Sequence, residues 1–137
     1  MKKGALTTAL AGICGTVFVL TSGGASAVAS SASALADCQV GSAPSLTYSN
    51  VEVNTAFSVS CTTARSVAVR FVVYDAQNAP LAWGDGDVKF VPGDGQWYSM
   101  SGHYSWGTPL PVARACEWID QIGPVGRVEL YSACTFS

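Results

Sequence analysis

Apolar and polar residues alternate along several short stretches after residue 36, which is the pattern of β-strands that bury one face. In the clearest stretch, 66–75, one face would carry Val67, Val69, Phe71 and Val73, and the other Ala68, Arg70, Val72 and Tyr74. The same alternation predicts strands at 55–61, 87–91, 96–106, 110–118 and 127–136. No long stretch shows the apolar spacing of an amphipathic helix, so the pattern predicts an all-β protein.

Turn-forming residues separate the predicted strands. Glycine, proline, asparagine and aspartate cluster at 77–80, 84–87, 92–95 and 107–109, where they favour tight turns. Roughly six to eight short strands at this spacing are typical of a small antiparallel sandwich or barrel.

The first 36 residues have the order of a secretory signal peptide. Lys2 and Lys3 form a basic start, residues 4–20 are uncharged and largely apolar, and small residues follow. The apolar run contains three glycines and is short for a membrane-spanning helix. Suitable cleavage sites end at Ala27 and Ala36, and the change of composition after Ala36 favours the second. We therefore expect a secreted protein whose single domain is 37–137, with no membrane span after signal removal.

Four cysteines remain after the predicted cleavage, which is an even number in a small exported domain. The midpoint between Cys38 and Cys61 falls at a turn-like Ser-Asn dipeptide, and that between Cys116 and Cys134 falls within Gly-Pro-Val-Gly. Each pair would then lie across an antiparallel hairpin. The sequence predicts the disulfides Cys38–Cys61 and Cys116–Cys134, each worth about 3 kcal/mol in the chain-entropy description.

Composition and charge exclude two classes of protein. Only 12% of residues are charged and 49% are hydrophobic, which is unlike a disordered tail. The net charge is −2 and becomes −4 once Lys2 and Lys3 leave with the signal. An acidic domain of this kind lacks the basic surface that nucleic-acid binding requires.

The residues needed for catalysis or metal binding are sparse, so we expect no enzyme, no catalytic residues and no cofactor. The single histidine, His103, is read as an ordinary strand residue, and there is no G-x-S-x-G nucleophile motif. A zinc site is not expected, because the sequence contains no C-x-x-C pair. Asp85, Asp87 and Asp94 are suitable calcium ligands, but their spacing matches no calcium loop and turn formation explains them.

Aromatic residues are concentrated between 83 and 106, close to glycine-rich turns. We select four of them as a candidate binding surface: Trp83, Trp97, Tyr104 and Trp106. One interpretation is packing in the core and between strands. The other is a flat surface for a cell-wall polysaccharide or a secreted protein. Trp118 follows Cys116 by two residues and is predicted to pack on its disulfide.

Two partial resemblances concern known secreted families. The first resemblance is carried by Cys134 and three C-terminal segments: Gly102-His103-Tyr104, Ala113-Arg114-Ala115-Cys116-Glu117-Trp118 and Ile122-Gly123. In these residues the chain resembles the spore-associated secreted proteins of Streptomyces. That family also has a signal peptide and four cysteines. This resemblance implies a surface-associated actinobacterial protein and carries over no catalytic residue.

The second resemblance is to the small streptomycete α-amylase inhibitors. Residues 67–74, the turn Gly93-Asp94-Gly95 and Ala113-Arg114-Ala115-Cys116 are similar to that family. Those inhibitors carry a Trp-Arg-Tyr turn between their first two cysteines, whereas the segment 38–61 contains neither tryptophan nor arginine. The sequence therefore predicts a non-enzymatic surface or structural protein. An inhibitor of a secreted hydrolase and a carbohydrate-binding module are the alternatives.

Overall fold

The computed structural model describes residues 36–136, and the predicted signal peptide lies outside these residues apart from Ala36. The described chain forms nine β-strands and contains no helix that could cross a membrane. The strands are β1 (Cys38–Val40), β2 (Ser45–Tyr48), β3 (Glu52–Cys61), β4 (Arg65–Tyr74), β5 (Pro80–Asp85), β6 (Lys89–Val91), β7 (Tyr98–Ser105), β8 (Arg114–Gly123) and β9 (Gly126–Phe136). All their pairings are antiparallel.

The strands form two sheets. In sheet A, β3 is central: β7 pairs with one edge, and β1 and β2 pair with successive parts of the other edge. In sheet B the order is β5-β4-β8-β9, and β6 shares with β5 the outer edge of β4. In each sheet, one edge of a long strand is therefore paired with two short strands in succession: β1 and β2 on β3, and β5 and β6 on β4.

The inward faces of the two sheets share one apolar core, so the fold is an all-β sandwich. Val53 and Val59 of β3 meet Val69 and Phe71 of β4 in this core, and all four are at most 1% exposed. Gly102 of β7 permits this approach, because a side-chain carbon there would contact Phe71, Val69 and Thr55 at 3.2 Å. The predicted inward face of β4 is confirmed, since Val67, Val69, Phe71 and Val73 are all buried.

Both predicted disulfides are present. Cys38 and Cys61 are opposite each other on β1 and β3, and Cys116 and Cys134 are opposite each other on β8 and β9. The first is buried, whereas the second lies on the outward face of sheet B, since its neighbour Ala115 points into the core. The hairpin argument holds for both pairs.

The structure adds three strands that the alternation pattern did not predict. β1 and β2 are short, and β5 contains Pro80 and Gly84, residues that were read as turn formers. Pro80 is tolerated because β5 pairs with β4 alone among the strands of residues 36–136 and is therefore an edge strand. The predicted strand 110–118 instead begins at Arg114, after the prolines, and continues to Gly123.

Two polar side chains of β8 also face the core. Gln121 is 1% exposed, and its side-chain oxygen accepts hydrogen bonds from the backbone N–H groups of Asp37 and Cys38 at 2.8 and 2.9 Å. Glu117 is fully buried, and neither carboxyl oxygen has a hydrogen-bond partner within the part of the chain that the structure describes. Burial therefore raises the pKa of Glu117.

Candidate functional site

The outward face of sheet B carries a groove of about 320 Å³, a volume within the range of small-ligand sites. Its walls contain two tryptophans, Trp83 of β5 and Trp118 of β8, with β4 between them. Trp83 is 68% exposed, while Trp118 is half-buried. The groove therefore presents two indole surfaces to solvent.

Strand register places the remaining side chains of the groove. On β4, Val72 is opposite Trp83, and Arg70 lies opposite Asp85 on one side and Trp118 on the other. Because opposed residues on neighbouring strands point to the same face, all five side chains project outward together. The two tryptophans are two strands apart, which is about 10 Å across the sheet.

Arg70 is held in place by the side chains around it. Its Nε and a terminal N–H donate to the two carboxylate oxygens of Asp120 at 2.6 and 3.3 Å. Its guanidinium lies over the Trp118 ring, 5.7 Å from the centroid, where cation–π attraction adds to the ion pair. The hydrogen bond with Asp120 raises the pKa of Arg70, so the group stays charged.

A second arginine lies between the carboxylates of Asp120 and Asp85. Arg127 of β9 donates to Asp120 at 3.2 Å and lies 3.7 Å from the Asp85 carboxylate. Asp120 is 1% exposed, whereas the Asp85 side chain is 62% exposed. The buried carboxylate of Asp120 thus fixes both arginines, and the exposed carboxylate of Asp85 remains accessible to a ligand.

Tyr104 of sheet A supports the groove from beneath. Gly84 lies opposite the buried Phe71, so its inward side faces the core. A side-chain carbon on Gly84 would overlap the Tyr104 ring. The absence of a side chain at Gly84 therefore lets this ring pack directly under the strand that carries Trp83 and Asp85.

Aromatic and arginine side chains continue along the same face beyond the groove. Arg114 lies over the ring of Tyr74, 4.1 Å from its centroid, and 5.8 Å from that of Phe136. These three residues are opposed on β4, β8 and β9. Phe136 is 69% exposed, so an elongated ligand could extend from the groove onto this row.

The structure separates the four residues selected from the sequence. Trp83 lies in the groove, and Tyr104 lies beneath it. Trp106 packs beside Tyr104, with ring centroids 6.1 Å apart, and its indole N–H donates to the backbone oxygen of Asn50 at 2.7 Å. Trp97 is 53% exposed and precedes β7, near Gly41, the residue that follows β1 of sheet A. Trp83 and Trp97 therefore do not share one surface.

The groups considered for catalysis or metal binding are also separate. His103 is exposed on the outward face of sheet A, with Nε2 3.2 Å from Glu52. Asp94 accepts a hydrogen bond from the Tyr98 hydroxyl at 2.5 Å, which lowers the pKa of Asp94. Within residues 36–136, no group of three histidine, cysteine or acidic side chains is placed to hold a metal ion.

Three of the charged and aromatic residues on the outward side of the groove were not selected as binding residues from the sequence: Arg70, Asp85 and Trp118. Alternation had placed Arg70 on the outward face of its strand. Trp118 follows Cys116 by two residues, which puts it on the same face as that cysteine. What the sequence lacked was the order of the strands, because only the pairing of β4 with both β5 and β8 brings the two tryptophans together.

Comparison with known proteins gives no functional guide. No known family and no curated protein matches this chain. Among solved structures, the chain is similar to one described as an ApaA protein from Bordetella pertussis, with 14% identity and a TM-score of 0.42. That similarity covers 73% of this chain and 93% of the other. At this distance no inference about function is transferred.

Proposed function

We propose that this protein is a secreted, non-enzymatic interaction protein of the cell surface that binds its partner through the groove on sheet B. The observation that carries the proposal is the exposure of Trp83 beside Trp118 over a floor of ordered side chains. Large apolar side chains exposed together in a concave surface are typical of binding sites. A spore-associated location is the more specific form of the proposal and comes from the C-terminal resemblance.

Two properties support an extracellular location. The two disulfides are consistent with an extracellular protein, since such bonds persist in oxidising compartments. The N-terminal sequence has the order of a secretory signal. Export would remove the basic start and leave an acidic domain.

The binding role is favoured over catalysis by the state of the charged groups. In the groove, Arg70 is engaged with Asp120 and stacked on Trp118, an arrangement that orders a surface rather than activates a nucleophile. His103 is outside the groove, on the other sheet.

Fractionation of the producing cells tests this proposal. The wild-type chain, Trp83→Ala and Trp97→Ala would each be quantified in medium, envelope and cytoplasm. We expect the wild type and Trp97→Ala in the envelope fraction and Trp83→Ala mainly in the medium. Trp97 is the matched control because it is a second exposed tryptophan outside the groove. Cytoplasmic protein, or equal envelope retention of all three, would contradict the proposal.

A further inference from the structure

The ligand class of the groove follows from how its apolar and polar groups are arranged. The indoles provide apolar faces, and hydrogen-bonding groups lie between and beside them. Arg70 has five N–H donors, of which two are used by Asp120, so the others are available to a ligand. Asp85 adds an exposed acceptor. Ligands that match both features have flat apolar faces and many hydroxyl groups at their edges.

The charge around the groove disfavours anionic ligands. The two arginines, Arg70 and Arg127, are balanced by Asp85 and Asp120 within the same network. Glu129, close enough to raise the pKa of Arg70, makes the surroundings slightly negative. An anionic polymer would need an excess of positive charge here. The near balance of charge therefore favours a neutral ligand over an anionic one.

The dimensions of the groove favour a ligand with more than one ring. A stacked ring pair has centroids about 4.5–7 Å apart, whereas Trp83 and Trp118 are attached to strands about 10 Å apart. Different rings of one chain can therefore contact the two indoles. The aromatic row of Tyr74, Arg114 and Phe136 extends the same face.

We propose that the groove binds a neutral polysaccharide, whose sugar rings stack on Trp83 and Trp118 and whose hydroxyl groups bond to Asp85 and the free N–H groups of Arg70. This inference rests on the proposed function, because it takes the groove as the contact surface. It adds the class of partner, a neutral glycan rather than a protein.

Affinity electrophoresis tests the ligand class directly. The mature protein would be run through gels containing soluble starch, hydroxyethyl cellulose or galactomannan, with alginate as the anionic comparison. We expect retardation by at least one neutral polymer and none by alginate. Trp83→Ala should weaken that interaction at least tenfold and Asp85→Asn several-fold, while Trp97→Ala stays within twofold of the wild type. Because Trp83, Asp85 and Trp97 are exposed, these variants are expected to fold.

Three results would overturn the glycan assignment: no retardation by any neutral polymer, stronger retardation by alginate, or equal weakening in Trp83→Ala and Trp97→Ala. The fractionation experiment separates this failure from that of the broader proposal. If Trp83→Ala alone loses envelope retention but no neutral polymer binds, the groove remains the contact surface and the partner is of another class. Stoichiometric inhibition of a purified secreted α-amylase, lost in Trp83→Ala, would identify that class as protein.

Discussion

Glu117 is an ionisable residue in an environment that disfavours its charged form. It is fully buried between the sheets, opposite Phe71 on β4, and its oxygens have no hydrogen-bond partner among the described residues. The titratable side chain that interacts with it is Tyr131 of β9, whose pKa is raised by burial and by the charge of Glu117. Desolvation favours the neutral acid in the folded state.

The raised pKa of Glu117 predicts that stability decreases as pH rises. Below about pH 4.3, the ordinary value for glutamate, the side chain is protonated in both the folded and unfolded states and contributes no penalty. Between that value and the raised folded-state pKa, the unfolded chain binds fewer protons than the folded one, so the free energy of unfolding falls. Above the folded-state pKa the penalty is complete.

Thermal unfolding of the wild type and Glu117→Gln from pH 4.5 to 9 checks this expectation. The glutamine has nearly the same shape and does not titrate, so the difference in Tm between the two proteins should shift in favour of the variant as pH rises. Other titrating groups are common to both proteins, and Tyr131, whose pKa is raised above its ordinary value of about 10, stays protonated over this pH range. A pH-independent difference would show that Glu117 keeps the same protonation state in the folded and unfolded chain.

The tryptophans differ in what they contribute to stability. Trp106 is half-buried, packs on Tyr104 and donates a hydrogen bond, so Trp106→Ala should cost about 3 kcal/mol, near the lower end for large aromatic truncations. Trp97 is 53% exposed, and its replacement by alanine should cost less than about 1 kcal/mol. Urea unfolding of both variants measures the two costs. Equal losses would show that Trp97 also belongs to the core.

At the scale of the strands, β1 is where the predicted signal peptide meets the domain. Asp37 forms an ion pair with Arg65, and its backbone N–H donates to Gln121. Cleavage after Ala36 would place the new α-amino group beside an acceptor that is already in position. N-terminal sequencing of the mature protein should therefore begin at Asp37, and a product beginning at Val28 would contradict the assignment.

Local patterns in the sequence were sufficient for some elements and not for others. β4 was predictable because four apolar residues at every second position bury one face. The pairing of Cys116 with Cys134 was predictable because a strong turn lies midway between them. β5 was not, since Pro80 and Gly84 have the local preferences of turns and are accepted in a strand only through pairing with β4 and packing on Tyr104. Non-local contacts overrode local propensity there.

The candidate site was only partly predictable for the same reason. Trp83 could be selected from its type and from the turns around it. Its partner Trp118 is 35 positions away in the chain, and it becomes a neighbour only through the order β5-β4-β8. Proximity in sequence had instead grouped Trp83 with Trp97, which lies immediately before β7 of the other sheet.

For the whole molecule, the two sheets have different outward faces. Sheet A presents serines together with the pair His103 and Glu52. Sheet B presents tryptophans, stacked arginines and the outer disulfide. The central claim is that the molecule meets its partner through sheet B, with the core and both disulfides holding that face in shape.

Nuclear magnetic resonance of the tryptophan indole groups tests this claim most directly, because the chain has four tryptophans and each gives its own N–H signal. The ¹⁵N-labelled mature protein would be titrated with fragments solubilised from the envelope of the producing cells. We expect the Trp83 and Trp118 signals to shift with ligand concentration and those of Trp97 and Trp106 to remain unchanged. Shifts confined to Trp97, or no shift at saturating concentration, would contradict the assignment of the groove as the binding site.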